Sequence, residues 1–147
     1  MDRSKIKAKA YAVFSKDGKI LMHEIFEHGK LIAYRIPGGH VEFGERSRDA
    51  AIREIHEELS AEAVNVRLLG VDENIFVYEG KAGHEITFVY AADFKDKTLY
   101  DLDVVPGFEP DNGQSFPLHW IDPLNPPPGL KIFPEGLKAI LQSEREL

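Results

Sequence analysis

Three glutamates are crowded into one short segment of the chain, at Glu54, Glu57 and Glu58. At positions i, i+3 and i+4 of a helix they are neighbours on one face, with Cβ atoms about 5–6 Å apart. Like charges this close would raise one another's pKa values, and the 147-residue chain already has a net charge of −7, so we expect a compensating cation. Carboxylates are hard oxygen ligands that suit Mg²⁺ or Mn²⁺, and Mg²⁺ commonly bridges to substrate phosphates.

The residues before this segment could complete such a site. Gly38 and Gly39 allow the backbone to approach a ligand closely, and a glycine carbonyl there could bind metal. Arg53 could pair with Glu45 or another acid and so fix the connecting turn against the helix. The alternative is a solvated acidic helix face, which charge runs usually are. The three glutamates alone leave both interpretations open.

The spacing of these residues resembles the Nudix box, the pattern G-x5-E-x7-R-E-U-x-E-E-x-G-U, in which U is a bulky aliphatic residue. Gly39, Glu45, the run 53–55 and the pair 57–58 match it. Ser60 stands where the pattern has Gly, and Ala61 where it has a bulky aliphatic. Both departures lie in the turn that leaves the helix, so they affect loop geometry more than the carboxylates.

The resemblance extends from about Ala8 to Leu141 and includes the segments "YRIPGGHVEFGE" and "ENIFVYEGKAGHEITFVYAADF". It implies a Nudix-type α/β/α sandwich with a mixed β-sheet. It also implies a hydrolase that cleaves the diphosphate linkage of a nucleoside diphosphate derivative with Mg²⁺ or Mn²⁺. Nucleotide sugars, ADP-ribose, dinucleoside polyphosphates and nucleoside triphosphates all remain open as substrates.

The resemblance also suggests a role for each matching residue. Glu54, Glu57 and Glu58 would be metal ligands, with the Gly39 carbonyl completing the site. Glu54 is the first candidate for orienting or deprotonating the attacking water. Arg53 and Glu45, which complete the predicted catalytic set, would support the loop and the helix.

Charged residues outside the box are weaker candidates. Arg35 could contact phosphate or merely form a salt bridge. Glu85 could be a further metal ligand, a base or a substrate contact, or one half of a surface ion pair. Glu109 and Asp111 lie in an acidic loop that could cover an active site or simply be solvated.

Aromatic residues and histidines give no clear site. Phe76, Tyr78 and Trp120 could stack on a base, but aromatics on strands are more often part of the core. The six histidines show no metal-ligand spacing, and we expect His40 and His84 to be incidental.

The predicted elements place the box between strands. Apolar and polar residues alternate before the box and after it, which predicts strands at residues 7–14, 20–26, 31–36, 64–79, 85–94 and 116–121. Ile52, Ile55 and Leu59 recur at helical spacing, so we predict a helix over residues 47–60 with Ser47 as N-cap. We expect pairing to stop at residues 37–39, loops over 80–84 and 99–115, and a C-terminal helix opened by Pro134. The pattern is that of an α/β or α+β fold in one domain over residues 1–147.

Composition limits the remaining possibilities. The chain has no cysteine, which excludes disulfides, zinc–thiolate sites and cysteine nucleophiles. No apolar run approaches membrane length and no signal peptide is visible, so we expect a cytoplasmic protein. The acidic balance argues against broad nucleic-acid binding but not against a small nucleotide held through a cation. By resemblance, a homodimer is reasonable.

Two other functions are compatible with the sequence. A non-catalytic nucleotide-binding or regulatory module could keep the same fold, although all box carboxylates are present and only Ser60 favours this alternative. A structural domain with an acidic helix would show no stabilisation by Mg²⁺ or Mn²⁺.

Overall fold

The computed structural model describes residues 4–146 of the chain, with side chains described as far as residue 144. The strands are β1 (Ile6–Val13), β2 (Ser15–Lys16), β3 (Lys19–Glu27), β4 (Lys30–Arg35), β5 (Gly38–His40), β6 (Ala63–Tyr78), β7 (Lys81–Phe94), β8 (Val104–Phe108), β9 (Ser115–Ile121) and β10 (Lys131–Phe133). The helices are α1 (Ser47–Leu59) and α2 (Leu137–Glu146), and a 3₁₀ turn spans Lys97–Asp101.

The strands of residues 4–146 form two mixed sheets. In the first sheet the order is β5-β1-β7-β6, with β1 and β7 parallel and the other pairs antiparallel. In the second sheet the order is β10-β4-β3-β9-β8, with β10 and β4 parallel and the short β2 paired with β3. The predicted mixed α/β architecture is therefore confirmed, with two sheets instead of the single sheet expected.

The core follows the period-two pattern of β1. Ala12 packs in a cluster with Ile55 and Leu59 of α1, whereas Tyr11 and Val13 pack on the opposite face with Leu137 of α2. Successive residues of a strand point to opposite faces, so β1 lies between the two helices. The apolar stripe of α1 is buried against the sheet together with Glu58, whereas Glu57 of the same helix is exposed.

Several local predictions were wrong. Pairing was expected to stop at residues 37–39, but residues 38–40 form β5 and pair with β1. The chain crosses to the other sheet at Pro37, and the Pro37 carbonyl accepts a hydrogen bond from Ala12 N at 2.9 Å. The predicted loop over 99–115 contains β8, which carries Pro106 at the edge of its sheet, where a missing N–H is tolerated. The predicted loop over 80–84 is a tight turn followed by β7.

The helix ends also differ from the prediction. Arg46 is the N-cap of α1, and the Ser47 hydroxyl instead lies 2.6 Å from the Tyr90 hydroxyl. Helix α2 begins at Leu137, three residues after Pro134. No helix in residues 4–146 is long and apolar enough to span a membrane.

Candidate active site

Helix α1 brings the Glu54 carboxylate directly against the backbone of β5. A Cβ atom placed on Gly39 would lie 2.5 Å from both Cδ and Oε2 of Glu54. Any side chain at Gly39 would therefore push the carboxylate away. The glycine predicted from the sequence is needed here for close approach.

Glu58 lies one helical turn from Glu54 and is almost fully buried, with 8% of its surface exposed. Burial raises the pKa of the Glu58 carboxyl to about 8, with smaller contributions from Glu54 and Glu109 and against the opposing charge of Arg35. In the absence of a compensating cation, Glu58 is therefore held largely protonated near neutral pH. The like-charge argument from the sequence accounts only for the smaller contribution of Glu54, and burial is the main cause.

Arg53 holds the acidic residues around it in place. Its Nε and Nη2 donate to the two carboxylate oxygens of Glu45 at 2.8 and 3.0 Å, a bidentate pair. These hydrogen bonds lower the pKa of Glu45 to about 2, and they raise that of Arg53. Arg53 also donates to Glu54 at 3.0 Å and to the His40 carbonyl at 2.9 Å. The guanidinium thus ties the loop before α1 to the helix and to β5.

Glu57 occupies a different position from the other two glutamates. Its carboxylate accepts a hydrogen bond from Arg53 Nη1 at 3.3 Å, and 40% of its side chain is exposed. Within residues 4–146, no group of three or more His, Asp or Glu side chains is arranged to hold a metal ion by itself. The carboxylates of Glu54 and Glu58 are adjacent, whereas that of Glu57 is hydrogen-bonded to Arg53 and does not join them.

The residues nevertheless fit a divalent cation with a partly retained water shell. Glu54 and Glu58 supply hard oxygens side by side, the backbone of Gly39 lies against one of them, and Mg²⁺ usually takes only one or two protein carboxylates. The raised pKa of Glu58 also shows that a negative charge on this carboxyl is unfavourable in its surroundings, and a bound cation would make it favourable. Glu54, Glu58 and Gly39 are the residues that would hold it.

A cavity of about 660 Å³ opens between the two sheets. Arg35 and Glu85, the two substrate contacts predicted from the sequence, both line it. Glu85 is paired with Lys9 at 3.1 Å, and both side chains are largely buried. An electrostatic interaction connects this cavity with the carboxylates of α1. Burial raises the pKa of the Tyr11 hydroxyl to about 12, and this hydroxyl feels the charges of both the cavity residues Arg35 and Glu85 and the helix residues Glu54 and Glu58.

Arg35 is poised towards this cavity. Its guanidinium lies 5.8 Å from the centre of the Tyr11 ring. Its Nε is buried and is the one buried side-chain polar atom in the described residues that has no hydrogen-bond partner. An unpaired donor of a buried cation is a suitable partner for an anionic group of a ligand.

The remaining candidates divide between the site and other regions. Glu109 is close enough to raise the pKa of Glu58, and Phe76 and Tyr78 line the cavity. Trp120 stacks on Tyr100 at 5.9 Å in a packed cluster, and His84 is hydrogen-bonded to Glu73 at 3.1 Å. No contact joins Asp111 to the carboxylates in the part of the chain described.

Sequence reasoning missed other residues that line the cavity, among them Lys9, Tyr11 and Asn74. Lys9 and Tyr11 lie on the face of β1 opposite the alanines, a face visible in the alternation. Asn74 shares a face of β6 with Phe76, so the same period of two could have identified it.

Comparison with known proteins identifies the family. The profile of the NUDIX domain family matches residues 5–134. The mutator protein MutT4 from Mycobacterium tuberculosis is 31% identical over 84 residues, which is 57% of this chain and 34% of that protein. The chain thus spans about a third of the length of that curated relative.

Solved structures share the fold. The MutT NUDIX hydrolase from Burkholderia pseudomallei superposes with a TM-score of 0.66 at 22% identity, over 95% of this chain and 98% of that one. The E. coli ORF135 protein gives 0.59 at 20% identity, over 97% and 92% of the two chains. The predicted family and fold are confirmed. The chain belongs to the NUDIX family, whose hydrolases act on phosphorus anhydrides.

Proposed function

We propose that this protein is a metal-dependent pyrophosphohydrolase that cleaves the diphosphate linkage of a nucleoside diphosphate derivative. One observation carries the proposal. The Glu54 carboxylate lies against the Gly39 backbone and next to Glu58, and Arg35, whose Nε has no partner, lines a cavity and acts electrostatically on Glu58. A diphosphate between these groups would meet a cation site on one side and a guanidinium on the other.

A divalent ion bound at the carboxylates would neutralise phosphate charge and lower the pKa of bound water. Glu54 and Glu58 would hold that ion together with the Gly39 carbonyl, whereas the Glu57 carboxylate lies on Arg53. We assign to Glu54 the role of orienting the attacking water. Arg35, whose Nε has no protein partner, binds a phosphate oxygen through its guanidinium.

The positioning residues act before any substrate binds. The bidentate pair between Arg53 and Glu45 fixes the turn before α1, and Arg53 further bonds Glu54. The catalytic carboxylate therefore starts in one orientation, and less ordering remains to be done when substrate arrives. The cytoplasmic location, the single domain and a homodimer stay predictions.

The test is monophosphate release across nucleotide sugars, ADP-ribose, dinucleoside polyphosphates and nucleoside triphosphates, with Mg²⁺ and then Mn²⁺. We expect metal-dependent turnover in wild type and its loss in Glu58→Gln. Glu62→Gln is the matched control, because Glu62 is an exposed acid paired only with Lys95 at 3.4 Å. Binding of nucleotides without turnover, in a folded wild type, would instead support the non-catalytic module.

A further inference from the structure

One face of the second sheet is turned towards helix α1. Register partners across β4, β3, β9 and β8 place four residues in one row on this face: Arg35, His23, Leu118 and Val105. Val105 and Leu118 pack in the same buried cluster as Ile55 and Leu59 of α1. The face that carries Arg35 therefore lies opposite the helix that carries the carboxylates.

Glu109 continues this face beyond the end of β8. Val105 and Gly107 are buried, whereas Val104 and Phe108 are exposed, so the odd-numbered residues of β8 face the helix. Glu109 is the next odd-numbered residue. Its N–H donates to the Gln114 carbonyl at 2.8 Å, which continues the antiparallel pairing of β8 with β9. Its side chain thus lies on the face of Val105, about 13 Å further along the strand.

The Glu109 backbone is fixed at the base of a short turn. Besides the bond to Gln114, the Glu109 carbonyl accepts a hydrogen bond from Gly113 N at 2.8 Å. The Asn112 side chain accepts from Gln114 N at 2.8 Å inside the same turn. The position of Glu109 relative to α1 is therefore set by the β8–β9 hairpin, and only its side chain is free to reorient.

The charges around Glu58 show that Glu109 reaches the site. Arg35 and Glu109 both act electrostatically on the Glu58 carboxyl, although they come from different strands of the second sheet. Together with the position of Glu109 on the face turned towards α1, this places a further carboxylate across from the pair Glu54 and Glu58.

Glu109 differs from the carboxylates before and on α1 because nothing in the protein occupies it. Glu45, Glu54 and Glu57 all accept hydrogen bonds from Arg53, and Glu58 is buried. The Glu109 side chain is exposed and makes no hydrogen bond or ion pair with another residue of the part of the chain that the structure describes. A carboxylate that is neither bonded to a guanidinium nor buried can accept a proton and pass it to solvent.

We propose that Glu109 is the general base of the hydrolysis. As the water oxygen bonds to phosphorus, one O–H bond of the water breaks and its proton passes to a carboxylate oxygen of Glu109. The bridging P–O bond breaks, and its electron pair leaves with the departing phosphate group. Glu54 orients the water, and the exposed Glu109 returns the proton to solvent. This inference rests on the proposed function, because it supplies the base for that reaction.

The test compares Glu109→Gln with wild type, using the compound of the activity panel that wild type hydrolyses fastest. A positioned general base contributes about 10²- to 10⁴-fold in rate, so kcat should fall by that factor while KM changes little. Glu109→Asp should keep part of the activity, because it retains a carboxylate. The loss in Glu109→Gln should shrink as the pH is raised from 7 to 9, since hydroxide then replaces the base. Asp111→Asn, a change of an exposed acid in the same turn, is the matched control and should leave kcat unchanged.

A melt titrated with Mg²⁺ alone distinguishes a base from a metal ligand. Glu109→Gln should be stabilised by Mg²⁺ with an apparent affinity within about fivefold of wild type, because only a nearby charge is lost. Loss of the Mg²⁺ stabilisation, as expected for Glu58→Gln, would make Glu109 a metal ligand and overturn the proposal. An unchanged kcat, or a loss of activity that is the same at pH 7 and pH 9, would also overturn it.

The outcomes separate this inference from the function on which it rests. Metal-dependent hydrolysis that is lost in Glu58→Gln but kept in Glu109→Gln would leave the pyrophosphohydrolase in place and remove only the role of Glu109. Folded wild type that binds nucleotides without turnover would remove both proposals.

Discussion

Replacing Glu58 with glutamine should stabilise the metal-free protein, although it removes a residue of the active site. The carboxyl has a pKa of about 8 in the folded chain and an ordinary value of 4.5 in the unfolded one. A raised carboxyl pKa favours folding at low pH, and this contribution is lost as pH rises from 4.5 to 8. Between pH 4.5 and pH 7 each pH unit costs about 1.4 kcal/mol. The folded protein therefore loses about 3 kcal/mol at pH 7.

Urea unfolding with chelator at pH 5 and pH 7 measures this cost. Glu58→Gln has no titrating carboxyl, so we expect it to exceed wild type by about 3 kcal/mol at pH 7 and by less than 1 kcal/mol at pH 5. Glu62→Gln should stay within about 0.5 kcal/mol of wild type at both pH values, as exposed substitutions do. A Glu58→Gln variant no more stable than wild type at pH 7 would refute the argument that burial holds this carboxyl protonated.

Magnesium should reverse the order of the two proteins. Wild type should gain about 4.1 kcal/mol when Mg²⁺ is present at a thousand times its dissociation constant, which exceeds the advantage of Glu58→Gln. The gain should increase with pH up to about 8, since the ligand must be deprotonated. Glu58→Gln should gain little, and an equal gain in both proteins would place the cation elsewhere.

Three further predictions follow from single positions. Gly39→Ala should displace the Glu54 carboxylate from its position against the backbone and weaken Mg²⁺ stabilisation at least tenfold in apparent affinity; unchanged affinity in a metal-titrated melt would contradict this. Ser60→Gly should raise the unfolding free energy by about 1 kcal/mol, because Ser60 has a left-handed φ of 50° at the end of α1; a loss of stability on urea unfolding would show that Ser60 is not strained. Burial lowers the pKa of His23 to about 3, so the unfolded chain is protonated at this histidine before the folded chain as the pH falls. Relative to His23→Gln, wild type should therefore lose about 1.4 kcal/mol of unfolding free energy per pH unit below 6.5. Parallel curves of stability against pH for the two proteins would count against a buried neutral histidine.

The helix that carries the carboxylates was predictable because its pattern is local. Apolar residues at helical spacing along α1 face the core, and Ile55 and Leu59 are buried as that spacing requires. The N-cap was not predictable in the same way. Ser47 has the right residue type, but the Tyr90 hydroxyl, 43 positions away, lies 2.6 Å from its oxygen. Helix α2 shows the same effect, since Asp72 accepts a hydrogen bond from Gly136 N at 3.0 Å before the first turn.

The segment at Pro37 shows why strand pairing is harder to predict than helices. Proline and two glycines are typical of a chain break, and the residues that make β5 a strand are its partners on β1, about 30 positions earlier. Gly38 has a φ of 151° and would collide with Ala10 and Tyr11 if it carried a side chain. Its glycine therefore serves this pairing, which only the partner strand reveals.

The sequence by itself determined the family, the helical face with three glutamates, the glycine that must approach them and the arginine that pairs with Glu45. These features depend on residue type and short spacing, which fix chemistry and helical neighbours. Only the tertiary structure decided that Glu58 is buried, that Glu57 lies on Arg53, and that Arg35, Glu85 and Asn74 share a cavity. Burial and the meeting of distant strands are set by the packing of the whole chain, and they determine which of several similar glutamates has a raised pKa.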